Sequence, residues 1–241
     1  MTRETATPTD LLDQVAASTA RLDTAIGTLT DAALAEPSLL PGWTRGHVLA
    51  HLSRNADSLL NLLLWARTGI EIPQYPSVEV RDTDIAAGAS RPLTVQHADF
   101  TASAHCWQAV ATTMSPADWQ AEVRNRQGGT LTADKILWMR LRETEIHHVD
   151  LDIGYTPADW PAPFVARLLP EAIADLSGNL HPEATPTFDI QSTDTDLIAT
   201  VGPGRPQHTV LGPATALLGW LLGRTSGNDL TGPLPPLPAW K

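Results

Sequence analysis

A single cysteine, Cys106, leaves this 241-residue chain without an internal disulfide or a multi-cysteine zinc cage. Any block of lysine and arginine is missing too. Lys and Arg total 16 against 27 Asp and Glu, a formal net charge of −11, which argues against a nucleic-acid backbone or an anionic membrane as the main partner. Long hydrophobic runs are absent. The most apolar stretch, LLNLLLWA at 59–66, falls far short of the roughly 20 residues that cross a bilayer, and the start MTRETATPTD lacks the apolar core of a signal peptide. A cytoplasmic protein with no membrane and no nucleic-acid partner is therefore expected. What is present, 42% hydrophobic and 18% charged residues, suits a folded chain with a sizeable core, in one large domain or two small ones.

The spacing of apolar residues predicts four long helices in the first 150 or so residues, at 9–29, 44–69, 93–114 and 132–154. Gly69 and Gly154 are expected to stop the second and fourth, and Thr132 to cap the start of the fourth. The stretch IEIPQYPSVEVRD, rich in β-formers and turn residues, is expected to be a loop. Four such helices point to a four-helix bundle. Three prolines in YTPADWPAP (155–163) suggest a linker, after which the pattern becomes a helix, two strands with a possible third at HTVLG, and an apolar closing helix at 214–227. The fold class expected is α+β in two domains, a bundle over 1–154 and a small α+β domain over 155–241, ending in an extended Pro-rich tail.

Within the fourth helix, RETEIHHVDLD gathers two histidines and several acids. At about 100° per residue, Glu143, His147 and Asp150 form one stripe with the side that carries Ile136, Met139 and Ile146, whereas His148 falls with Thr144, Glu145 and Asp152 on a side expected to face water. A carboxylate on an apolar face needs a partner: an ion pair, a hydrogen bond or a metal. A histidine one turn from a glutamate favours the metal, because i and i+4 side chains converge. The second helix offers His47 and His51, also one turn apart, either of which could complete a His2Glu set with an open coordination position; spacing does not choose between them. Both could equally be core histidines bonded to carbonyls.

Two motifs carry a resemblance. PGWTRGHVLAHL resembles the GWT-x6-HL signature of the DinB-like four-helix metalloproteins, and RETEIHHVD resembles the core, E-x-x-x-H-x-x-D, of their R-x-x-E-x-x-x-H-x-x-D helix. With the closing LLGWLLGR, the chain resembles end to end the mycothiol-dependent maleylpyruvate isomerases of actinobacteria. The resemblance implies a divalent metal, usually zinc, on His51, Glu143 and His147, with His51 taking the family position directly before the leucine of AHL. It also implies a sterol-carrier-like second domain, mycothiol as thiol cofactor and cis-trans isomerisation of maleylpyruvate, a small dianionic substrate arising in gentisate breakdown. Rival readings are a mycothiol S-transferase acting on another electrophile and a non-enzymatic metal- or ligand-binding module. The protein is expected to be a monomer.

Three further residues have expected roles. Cys106, with no basic neighbour in sequence, is expected to be a small buried core residue rather than the nucleophile. Asp150 is expected either to orient a ligand imidazole or to accept a helix-end hydrogen bond. Arg224, at the end of the W-x-x-G-R closing run, is either a cation for the substrate's carboxylates or a partner for the last carbonyls of its helix.

Overall fold

The computed structural model describes residues 7–179 and 186–240 and divides into two units, 1–153 and 154–241. The first contains α1 (Pro8–Ile26), α2 (Asp31–Ala35), α3 (Arg45–Thr68), α4 (Val78–Ala89), α5 (Leu93–Ala111), α6 (Pro116–Gln120), β1 (Glu122–Arg124), β2 (Thr130–Thr132) and α7 (Lys135–Asp150). The long helices α1, α3, α5 and α7 form a ring: α1 packs on α5 and α7, and α3 packs on the same two. The first and second long helices thus lie across the diagonal, and the connection through α2 crosses one end of the bundle. Its apolar residues fill that end, where Leu34 joins Leu22, Ile26, Val48, Leu49, Leu52, Phe100 and Leu151 in one core cluster.

Helix α3 is the central element, buried against α4, α5 and α7 together. Thr44 caps its start by accepting from the His47 amide, while His47 Nδ1 accepts from the Thr44 amide at 3.2 Å. Gly69, at φ 71°, ends it in the left-handed conformation that glycine adopts without steric cost. The expected loop is a loop at 70–77, and helix α4 takes up its last five residues. Only Ile85 and Gly88 are buried in it, so its sequence has almost no helical apolar period, yet Ser77 caps it. It lies close on α3 because glycines face the contact: a Cβ on Gly88 would stand 2.7 Å from that of Ala50, and one on Gly46 would stand 2.3 Å from the Ala89 carbonyl oxygen.

Two other expectations in this unit are corrected. Thr132 ends β2 in a short antiparallel hairpin, and α7 begins at Lys135, so Thr132 caps nothing. Cys106 is exposed, because the buried face of α5 is Gln96, Phe100, Ser103, Ala104, Trp107 and Ala111, and position 106 is out of phase with it.

The second unit contains α8 (Ala162–Ala174), β3 (Phe188–Ser192), β4 (Ile198–Val201), β5 (Thr209–Gly212) and α9 (Ala214–Leu221). The sheet order is β4-β3-β5, with β3 antiparallel to β4 and parallel to β5. Alternate residues Phe188 and Ile190 are fully buried, as are Phe164 and Leu168 on α8 and Leu217 and Leu218 on α9. The stretch expected to be a linker belongs to this unit: it forms a 3-10 turn at Pro157–Asp159, buries Pro157 and Trp160, and sets Pro157 against Gly219. Leu180 and Thr185, at the edges of an expected helix and strand, lie outside the described residues. Among the described residues no helix is long and apolar enough to cross a membrane.

Candidate metal centre

His51 comes from the second turn of α3, and Glu143 and His147 stand one turn apart on α7. The packing of α3 on α7 brings the three together. His51 Nε2 lies 2.9 Å from Glu143 Oε2 and 3.1 Å from His147 Nε2. His147 Nε2 lies 3.3 Å from the same carboxylate oxygen. A tetrahedral ion about 2.1 Å from each nitrogen and oxygen ligand would hold those atoms about 3.4 Å apart, so this donor set, at 2.9 to 3.3 Å, fits one divalent ion after a small outward shift. It is a His2Glu set, hard enough and basic enough for zinc and leaving room for a fourth ligand. Among the described residues it is the group of three or more His, Cys, Asp and Glu side chains whose donor atoms converge in this way.

The surrounding residues hold the ligands in place. Asp150, fully buried, binds His147 Nδ1 at 2.8 Å and so turns Nε2 inward. Trp43 packs edge-on against His51 and stacks on His47. His47 itself is spent on the start of α3, where its Nδ1 meets the Thr44 backbone and hydroxyl, and so it stays out of the cluster. Arg140, fully buried one turn before Glu143, donates from Nη1 to the Leu52 carbonyl at 3.0 Å and to Asn55 Oδ1 at 2.9 Å, tying α7 to α3 beside the site. Burial lowers its pKa to about 10, with the Glu143 charge pushing the other way.

Electrostatics within the cluster follow from crowding. Burial raises the Glu143 carboxyl, but hydrogen bonds from His147 and His51 outweigh it and hold the group well below the usual carboxylate range. Burial lowers His147, yet its bonds to Asp150 and Glu143 win and raise it to about 9. His51 is pushed down by burial, only partly offset by Glu143. Without an ion, therefore, the proton of the cluster resides on His147.

The face of α7 expected to meet water is buried instead. His148 is 4% exposed, and Thr144 and Glu145 are buried with it. The reason is α1, which meets this side with polar residues of its own: Ser18 donates to Thr144 at 2.8 Å and Arg21 pairs with Glu145. A polar pattern marks a solvent face only when no polar helix covers it. Arg224 lies in the second unit just after α9, where its Nη1 donates to the Leu222 carbonyl at 2.7 Å.

Two residues near the cluster escaped the sequence reading. Arg140 occupies the leading R of R-x-x-E-x-x-x-H-x-x-D, so starting the motif two residues earlier than Arg142 would have found it. Arg81 sits on α4, and its Nη2 reaches within 3.4 Å of His51 Nδ1. Its only signal in the sequence is Ser77 as a helix cap within a stretch otherwise rich in β-formers and turn residues.

A four-helix ring with such a cluster between two of its helices defines a candidate metal-binding four-helix bundle. YfiT from Bacillus subtilis, described as a probable metal-dependent hydrolase with an unusual four-helix bundle topology, has this fold, with TM-score 0.50 and 18% identity over 63% of this chain and 89% of that one. Beyond the class, the chain belongs to the mycothiol maleylpyruvate isomerase family, whose N-terminal domain matches residues 3–152 and whose C-terminal domain matches residues 159–239. The crystal structure of the mycothiol-dependent maleylpyruvate isomerase is similar over 98% of both chains, with TM-score 0.90 and 28% identity. That of a histidine-to-alanine mutant of the isomerase matches equally well. No curated protein sequence matches the chain.

Proposed function

We propose that this protein is a metal- and mycothiol-dependent isomerase that converts maleylpyruvate to fumarylpyruvate. The observation that carries this reading is the convergence of three lone-pair donors, from His51, Glu143 and His147, in a chain whose two parts both match the isomerase family. A divalent ion held there, which we take to be zinc, would supply Lewis acidity to stabilise a thiolate or polarise a carbonyl. His51, Glu143 and His147 would hold the ion, and Asp150 keeps His147 Nε2 turned towards it. Trp43 covers one side of His51 and limits water there.

The reaction itself balances without redox chemistry. The mycothiol thiolate forms a C–S bond to one alkene carbon, and the π electrons move onto the conjugated carbonyl oxygen. The remaining single bond turns, the electrons return, and the C–S bond breaks to release the thiolate and the trans product. Cys106, exposed on α5, takes no part. We assign Arg224 to one substrate carboxylate; in that role Arg224→Lys and Arg224→Ala hold metal and melt normally while losing catalytic efficiency. Activity that falls only in step with the melting temperature reduces Arg224 to a partner of the Leu222 carbonyl.

The test is fumarylpyruvate formation by zinc-loaded protein with and without mycothiol. Turnover should require the thiol and persist in Cys106→Ser. Thiol-independent turnover, lost in that variant, would overturn the reading.

A further inference from the structure

The two histidines of the centre have opposite surroundings. A histidine that gives Nε2 to a metal carries its proton on Nδ1, and that N–H needs an acceptor. His147 has one in Asp150. His51 does not: among the described residues, the polar group that faces its Nδ1 is Arg81 Nη2, at 3.4 Å, which can only donate. Once Nε2 is committed to an ion, two N–H groups point at each other with no acceptor between them.

Arg81 is itself short of acceptors. Its side chain is 15% exposed, Nη1 pairs with Asp82, and the buried Nε has no partner among the described residues. The guanidinium stands 5.8 Å from the centre of the Tyr75 ring, which holds it in place by cation–π attraction. It is carried by α4, which the Gly46 and Gly88 contacts bring close to α3. The result is a cationic fork with unsatisfied donors beside the metal ligands, within the first unit alone.

The geometry points to a carboxylate-binding subsite formed by Arg81 and the Nδ1–H of His51, taking one carboxylate of a short dicarboxylate substrate. Its oxygens accept from both groups, supplying the acceptor that the His51 Nδ1–H and the guanidinium N–H facing it would otherwise lack, beside the Asp82 pair that Nη1 already makes. The subsite rests on the isomerase reading for its substrate, and it fixes one end of the molecule on the side of His51 away from the ion. Arg81 is then a residue that selects dianionic over monoanionic compounds.

The experiment is calorimetric titration of zinc-loaded protein with maleate, in the absence of thiol, beside its monomethyl ester. Wild-type protein should bind maleate about tenfold or more tightly than the ester, as expected for one charge-assisted contact. Arg81→Gln should erase that difference and Arg81→Lys should keep part of it, with zinc content and melting temperature unchanged in both. The subsite is overturned if the wild type does not prefer maleate, if Arg81→Gln binds maleate like the wild type, or if affinity falls only as zinc is lost. Maleylpyruvate turnover on the same samples separates the two claims. Arg81-dependent binding without isomerisation leaves the subsite standing and removes the reaction; isomerisation with an unchanged KM in Arg81→Gln does the reverse.

Discussion

Helix α7 carries a glutamate on each of two polar seams, and the seams differ in how their hydrogen bonds close. Towards α1, Glu145 meets Arg21 and Thr144 meets Ser18, so each acceptor faces a donor. Towards α3, Glu143 and two imidazole nitrogens crowd within 3.3 Å of one another and share protons that an ion would replace. The first seam is complete as it stands. The second requires a proton or a cation from outside, and that incompleteness marks it as the working part of the bundle.

Removing a ligand should break the comparison most sharply. His51→Ala and Glu143→Gln are expected to lose stoichiometric zinc, read by elemental analysis, and to lose at least about a thousandfold in kcat/KM, roughly 4 kcal/mol of transition-state stabilisation. Next in size is a pH effect. Because His147 holds a proton up to about pH 9 in the metal-free protein, zinc must displace it at pH 7. Apparent affinity should therefore rise about tenfold per pH unit from 7 towards 9, with about one proton released per ion at pH 7 in a weakly buffered titration. A pH-independent affinity over that range would place the proton elsewhere.

Asp150→Asn tests the support of His147 and should weaken zinc binding about 10- to 100-fold in a chelator competition, with the helix intact. The smallest effect belongs to the completed seam. Glu145→Gln should cost about 1–3 kcal/mol in denaturant unfolding while zinc content and activity persist. Metal loss in that variant would show that the two seams are not separable.

The sequence carried the ligand helices clearly, because i and i+4 side chains on α7 share a face whatever packs beside them. It did not carry the burial of His148, Thr144 and Glu145. Polar residues that pair across two helices look the same in sequence as polar residues in water, and the decisive residues, Ser18 and Arg21, lie some 120 positions away. Helix α4 was illegible for the opposite reason: a helix burying only Ile85 and Gly88 has no apolar stripe to detect, and Arg81 was hidden with it. Strands of three residues such as β1 and β2 are too short to show a period of two. His47 and His51 were indistinguishable by spacing, and they differ because the former is consumed by a helix cap that only three-dimensional geometry displays.

The diagonal crossing places Arg45, at the start of α3, against the end of α7. Its Nε donates to the Leu151 carbonyl at 2.7 Å and its Nη2 to the Asp152 carbonyl at 2.9 Å, while the Leu39 amide donates to the Asp150 carbonyl at 2.9 Å. These clasps join the two ligand-bearing helices using bonds that no ion takes part in. The spacing of His51 from Glu143 and His147 is therefore inherited from the scaffold. An ion entering such a site would be like a bulb entering a socket: the fitting has its shape before anything is placed in it.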